Sequence, residues 1–200
     1  MWKIKPDFVT FIIPTLGRKS LNKTIQSLID LDDWNWRAII LFDGIEPIKI
    51  DCIDYLNDNH FIVKQIEKLG HAGLVRNQAF DLVDTTWTAF LDDDDFLKSS
   101  YISKLRMYAT KQPELDIIIF TYNDIVNKNI QPPPGTRDFS YCHVGISFAV
   151  KTNFIRDTGV LFPPGGIEDF AFLDSCRKAG AKYLVTNDIQ YFVGGRGVWR

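Results

Sequence analysis

Short apolar runs rich in β-branched and aromatic residues alternate with helix-spaced segments through the first hundred residues, and no other feature narrows the fold as far. The first run, residues 8–13, is stopped by Pro14. It lacks polar alternation, as a strand buried on both faces does. Over residues 20–31, Leu21, Ile25, Leu28 and Ile29 fall at helical spacing behind Ser20, a good N-cap type. Residues 38–42 form a second run, ended by Asp43-Gly44, and Phe61-Ile62-Val63 starts a third. Residues 72–83 read as helix and residues 87–91 as a fourth strand. Strands alternating with helices imply βαβ units, hence an α/β fold with a mostly parallel central sheet covered by helices.

The second half is less regular. The pattern predicts helices over 101–111 and 168–179 and strands over 115–122, 146–150 and 183–185. A loop or hairpin tip spans 127–138 around Pro132-Pro133-Pro134-Gly135. The chain closes on a glycine-rich basic stretch, 194–200, read as a mobile flap.

Two hundred residues suit one domain. A net charge of -2 excludes the basic face of a nucleic-acid binder. No run of about twenty apolar residues offers a membrane span. Cys52, Cys142 and Cys176 are odd in number and lack zinc or disulfide spacing, so they read as reduced thiols. The start of the chain has no signal-peptide pattern, and a soluble, cytoplasmic protein is expected.

Chemistry concentrates in Leu91-Asp92-Asp93-Asp94-Asp95-Phe96. Ligands of open parallel sheets bind beyond the carboxyl ends of the strands, where this run falls. If the strand geometry persists, Asp92 and Asp94 share a face. Like charges that close disfavour joint ionisation without a cation. Oxygen-only ligands suit Mg²⁺ or Mn²⁺ shared with substrate phosphates. A solvated acidic turn capping the next helix is the plainer reading of the same run. A haloacid-dehalogenase-type phosphatase fits poorly, since its nucleophile lies near the chain start. An EF-hand loop lacks its central glycine and distal glutamate.

Five motifs in order give the chain its resemblance to a known family. They are Pro14-Thr15-Leu16-Gly17-Arg18 after the first strand, Asp43-Gly44 after the second, and the stretch from Gly70 to Arg76-Asn77. Asp92-Asp93-Asp94 and Glu168-Asp169 complete the set. Together they resemble the GT-A nucleotide-sugar glycosyltransferases, family 2 in particular, over nearly the whole chain. The resemblance implies a Rossmann-like sheet with a smaller acceptor-side region in the second half. It divides one domain of 1–200 into a nucleotide-sugar-binding half, 1–98, and an acceptor half with the flap, 99–200. It implies transfer of one sugar from a nucleoside-diphosphate donor to a hydroxyl of a glycan, glycoprotein or glycolipid. Processive members carry a Gln-x-x-Arg-Trp motif near the end, and this chain has none.

The resemblance also assigns roles. Asp94 is the expected metal ligand, and Asp92 lies near the ion and the donor ribose, with Mn²⁺ or Mg²⁺ as cofactor. Asp93 fills the variable slot of the donor motif, and Asp95 supports the loop. Thr15, Arg18 and Asp43 face the donor, and a carboxylate at 43 suits the imide N–H of uracil, with Asp-Gly turn chemistry as the plainer reading of that residue. Family members often have two acids there, whereas Phe42-Asp43-Gly44 has one. Arg76 supports the site, and Gly73 lets the backbone turn into the next helix. Asp169 is the expected general base of an inverting displacement, although a helix N-terminus lowers basicity and an apolar wall such as Phe170 would have to restore it. Glu168 orients the acceptor or caps its helix. His143 contacts the acceptor or is structural, and Arg196 closes over the diphosphate. Trp34 and Trp36 are expected in the core. A dehydrogenase is disfavoured because Gly70-x-x-Gly73 lacks dinucleotide spacing. A sugar-nucleotide pyrophosphorylase and a catalytically silent sugar-nucleotide-binding module remain as alternatives.

Overall fold

A computed structural model describes residues 8–50 and 60–194. The parallel part is built from β1 (Val9–Thr15), α1 (Leu21–Ile29), β2 (Trp36–Asp43), β3 (Phe61–Ile66), α2 (Ala72–Asn77) and β4 (Trp87–Phe90). Then follow β5 (Phe96–Leu97), α3 (Tyr101–Lys111), β6 (Ile117–Asp124), β7 (Asn129–Gln131), β8 (Phe148–Lys151), α4 (Thr152–Thr158), α5 (Glu168–Lys178) and β9 (Tyr183–Val193). One sheet runs in the order β3-β2-β1-β4-β8-β6-β9-β5, with β7 paired to β6. Pairing is parallel among β1 to β4, and β6 lies parallel to β9. Antiparallel β8 joins these two parts. The fold is the expected mixed α/β one, with most of its paired length parallel.

β1, β2 and β4 are buried almost throughout, which is why they read as continuous apolar runs. β1 does not stop at Pro14 but continues to Thr15, with Pro14 opposite Leu41. The Ile12 carbonyl accepts the Leu91 amide on the β4 side. Pro14, two residues on, turns its donorless nitrogen to that same side, where β4 has already ended. Ser20 makes no side-chain cap bond and has helical angles. The helix expected over 72–83 holds only to Asn77. Beyond it, bonds such as Ala79 N to Arg76 O and Leu82 N to Ala79 O tighten the chain into a 3-10 turn at Phe80–Leu82.

The first part of the region 127–138 closes a hairpin, with β7 against the end of β6, and the proline triplet follows as loop beyond it. Three elements escape the sequence pattern: the two-residue β5, α4 and the length of β9. No helix among the described residues is long and apolar enough to cross a membrane.

Phenylalanines from distant segments set the floor of the site. Phe162 stacks on Phe172 of α5 at 4.0 Å, and Phe90 meets Phe162 edge-on at 5.1 Å. Asn77 secures the same loop through its amide, donating to the Phe162 carbonyl and accepting the Phe162 N–H, both at 2.9 Å. A Cβ on Gly73 would lie 2.9 Å from the Phe162 Cβ. Glycine there permits the close approach of α2 to this loop, so its role is contact and not a turn. These ties hold the start of α5 beneath the end of β4.

Candidate active site

The acid run begins where β4 ends. Strand geometry does not persist through it, because Asp95 N donates to the Asp92 carbonyl at 3.1 Å and closes a tight turn. Alternate side chains still part: Asp93 and Asp95 are buried, whereas Asp92 and Asp94 are half-buried and line a cleft.

Asp93 faces inward. It accepts Thr15 Oγ1 at 2.6 Å, the Leu16 amide at 3.4 Å and Arg18 at 2.8 Å. Burial raises its pKa against the lowering by Thr15 and Arg18. Thr15 Oγ1 in turn accepts the Gly17 amide at 2.9 Å, and Gly17 has a φ of 71°. Thr15, Arg18 and Asp93, each expected at the donor, are thus brought together to lock the loop after β1 onto the acid turn. Arg18 also approaches Asp94 at 3.9 Å.

Asp95 receives the Tyr191 hydroxyl at 2.8 Å and the Gly194 amide at 2.9 Å. Burial raises its pKa, and the neighbouring Asp92 adds to the rise. The Tyr191 oxygen also accepts the Asp92 amide at 3.2 Å. Sequence reasoning missed Tyr191, whose only local signal was its place in a β-rich run.

Arg76 is the hinge of the arrangement. Wholly buried in the last turn of α2, it pairs with Asp92 at 2.5 Å, Glu168 at 2.9 Å and Asp169 at 3.6 Å. Although burial opposes its charge, the three carboxylates raise its pKa further. The Gly73 N–H and Arg76 both bond Glu168, whose pKa is nevertheless raised by burial. Asp169 is held differently. Its Oδ1 is buried without a hydrogen-bond partner among the described residues. Burial pushes its pKa up to about 7 against Arg76, with Asp92 and Glu168 adding to the rise. Desolvation therefore outweighs the lowering expected from a helix N-terminus.

Other expected residues lie elsewhere. Asp43 is 1% exposed, and its two oxygens accept the Leu69 amide at 2.6 Å and the Gly70 amide at 2.8 Å. Its accepting edge is turned to that backbone, so here the carboxylate shapes a turn. His143 is exposed in the loop before β8 and does not line the cleft. Trp36 is buried as expected, but Trp34 is exposed, lying against Trp36 and His60. Arg196 and Cys52 lie outside the described residues; Cys142 and Cys176 are free thiols.

The cleft, about 240 Å³, is lined by Asp92, Asp94, Asp95 and Asp169 together with Tyr122, Gly145 and other residues of the second half. Among the described residues that line it, none is basic. No group of three or more His, Cys, Asp or Glu side chains among the described residues could hold a metal alone. Asp92 and Asp94 supply two carboxylates, which fits the way Mg²⁺-type ions complete their shell with substrate phosphates and water.

Comparison with known proteins follows this geometry. The family model for glycosyl transferase family 2 matches residues 10–167. No curated protein matches the chain. Among solved structures, S. aureus TarS 1–349 in complex with UDP-GlcNAc superposes with a TM-score of 0.82 at 16% identity, over 96% of this chain and 59% of that one. The same TarS fragment in complex with UDP gives 0.79 at 16% identity, over 92% of this chain and 60% of that one. The chain thus spans about three fifths of those TarS fragments. At this identity the likeness establishes the GT-A fold.

Proposed function

The chain belongs to glycosyl transferase family 2, and from that premise we propose that it is a metal-dependent, inverting glycosyltransferase moving one sugar from a UDP-sugar to an acceptor hydroxyl. The observation that carries this reading is the Arg76 cluster: Asp92 on the donor side and Asp169 on the acceptor side share one buried guanidinium. Asp94 and Asp92 would hold Mn²⁺ or Mg²⁺ beside the donor. Such an ion would supply positive charge to offset that building on the leaving diphosphate. Asp169 takes the proton of the attacking hydroxyl. Its Oδ1 is turned to Arg76, and a pKa of about 7 suits a base working at neutral pH. Glu168 fixes Arg76 beside it. A uridine donor is supported by the fold's likeness to TarS in complex with UDP-GlcNAc. Asp43 then acts through the Leu69–Gly70 turn that it shapes, and Thr15, Arg18 and Asp93 act through the loop after β1. The acceptor enters past the second-half wall of the cleft.

The test is release of UDP from a panel of UDP-sugars with Mn²⁺, with the product anomer read by NMR. Opposite configuration to the donor is expected. Retained configuration, or no release with any donor, would overturn the reading.

A further inference from the structure

The second-half wall of the cleft carries two tyrosines that differ in one respect. β6 and β9 pair in step up to Ile119 and Val185, then the register shifts on either side of Thr121. The shift places Tyr122 opposite Tyr191, and both line the cleft. The Tyr191 hydroxyl is committed to Asp92 and Asp95. The Tyr122 hydroxyl makes no hydrogen bond among the described residues, although its ring is half-buried. A protein seldom leaves a polar tip of a part-buried aromatic unpaired unless water or a ligand meets it.

The ring is held in place from behind. A Cβ on Gly145 would come within 3.3 Å of Tyr122 Cε1 and 3.7 Å of Cδ1 and Cζ, so glycine lets the backbone lie against the ring. The neighbouring polar side chains on this wall are engaged elsewhere. Ser147 donates to the Phe120 carbonyl, and Asp124 accepts the Val126 and Asn127 amides. Across the same cleft stands Asp169, whose buried Oδ1 is turned to Arg76. On the side away from Asp92 and Asp94, Asp124 and Asp169 line the space and favour a ligand that donates hydrogen bonds.

We propose that Tyr122 is an acceptor-positioning residue, whose hydroxyl bonds one oxygen of an uncharged polyhydroxylated acceptor and so turns a neighbouring hydroxyl toward Asp169. This rests on the transferase reading above and adds the acceptor class and the residue that orients it. The phenol is a neutral hydrogen-bond partner, and burial together with nearby Asp124 and Asp169 raises its pKa.

The test uses glycerol as a minimal polyol competing with water for the donor sugar. The readout is the ratio of glycosylated glycerol to hydrolysed donor. Tyr122→Phe is expected to lower that ratio about tenfold, the scale of one lost hydrogen bond. Its melting temperature should match the wild type, because the hydroxyl has no protein partner to lose. Gly145→Ala, which displaces the ring, should lower the ratio in the same direction. An equal ratio in wild type and Tyr122→Phe, including no transfer to glycerol by either, overturns the proposal. Absence of UDP release from any donor by wild type is instead the failure of the transferase reading, so the two failures are distinguishable.

Discussion

The acids after β4 and the acids that open α5 meet at one arginine, yet they are buried on different terms. In the first region each inward carboxylate is matched by donors: Thr15, Leu16 and Arg18 on Asp93, Tyr191 and Gly194 on Asp95. In the second, Glu168 is bonded directly to Arg76, while the buried oxygen of Asp169 has only that cation at 3.6 Å. Burial raises the proton affinity of all four carboxylates, Asp93, Asp95, Glu168 and Asp169. They differ in attachment: donors fix the oxygens of the first three, whereas the buried oxygen of Asp169 has no hydrogen bond among the described residues.

The contrast breaks most severely if Asp169 is removed from the reactive side. Asp169→Asn is expected to cut kcat and kcat/KM together by about 10²–10⁴-fold, as loss of a general base does. Calorimetric binding of UDP with Mn²⁺ should survive, and near-normal turnover would demote Asp169 to a helix cap. Next in size, UDP with Mn²⁺ at 100 times its Kd should stabilise the protein by about 2.7 kcal/mol. Asp94→Asn should abolish that gain, and equal stabilisation in excess chelator would exclude the metal.

A smaller effect tests the scaffold side. Asp93→Ala removes the buried acceptor shared by Thr15, Leu16 and Arg18 and should destabilise the fold by about 1–3 kcal/mol in urea titration. A neutral result would show that the loop after β1 does not need its buried anchor.

The pH profile sharpens the comparison with the smallest effect. With a pKa of about 7, Asp169 must lose its proton to act, so kcat/KM should rise with pH and level off above it. At pH 6 it should be roughly tenfold below the plateau. The stability effect has the opposite sign. The folded form binds the proton more tightly than the unfolded carboxyl, at 3.8, so this group's contribution to stability falls as pH rises from about 4 to 7. Thermal melts of Asp169→Asn should lack that decline; a wild-type profile flat in both measurements contradicts the raised pKa.

The same two regions show what a single sequence reveals. Buried parallel strands such as β2 are continuous apolar runs, so their order and sense were legible. Asp92, Asp94 and Asp169 stand in local motifs and could be nominated from the sequence, although their roles rest on the proposed function. The engagement of Arg76 with Glu168, 92 residues away, could not be read, because it depends on how α2 meets the 159–167 loop. Tyr122 and Tyr191 were invisible for a related reason: a register shift between β6 and β9, not a pattern in either strand, sets them side by side. Asp43 had two uses open to it in the sequence, partner of a base or former of a turn, and here backbone amides donate to both its oxygens.

The Asn77 amide grips the peptide of residue 162, both its carbonyl and its N–H, and so reads main chain instead of a side chain. Such a grip is indifferent to the identity of the residue held, provided an apolar face remains to meet Phe172. The flanking positions, among them exposed Leu161 and Ile167, are therefore open to rewriting. A loop transplanted from another chain could be seated at that one peptide while Glu168 and Asp169 keep their station beneath Arg76. The sequence of the loop and the station of the two acids are thereby separable, and one can drift or be engineered while the other stays fixed.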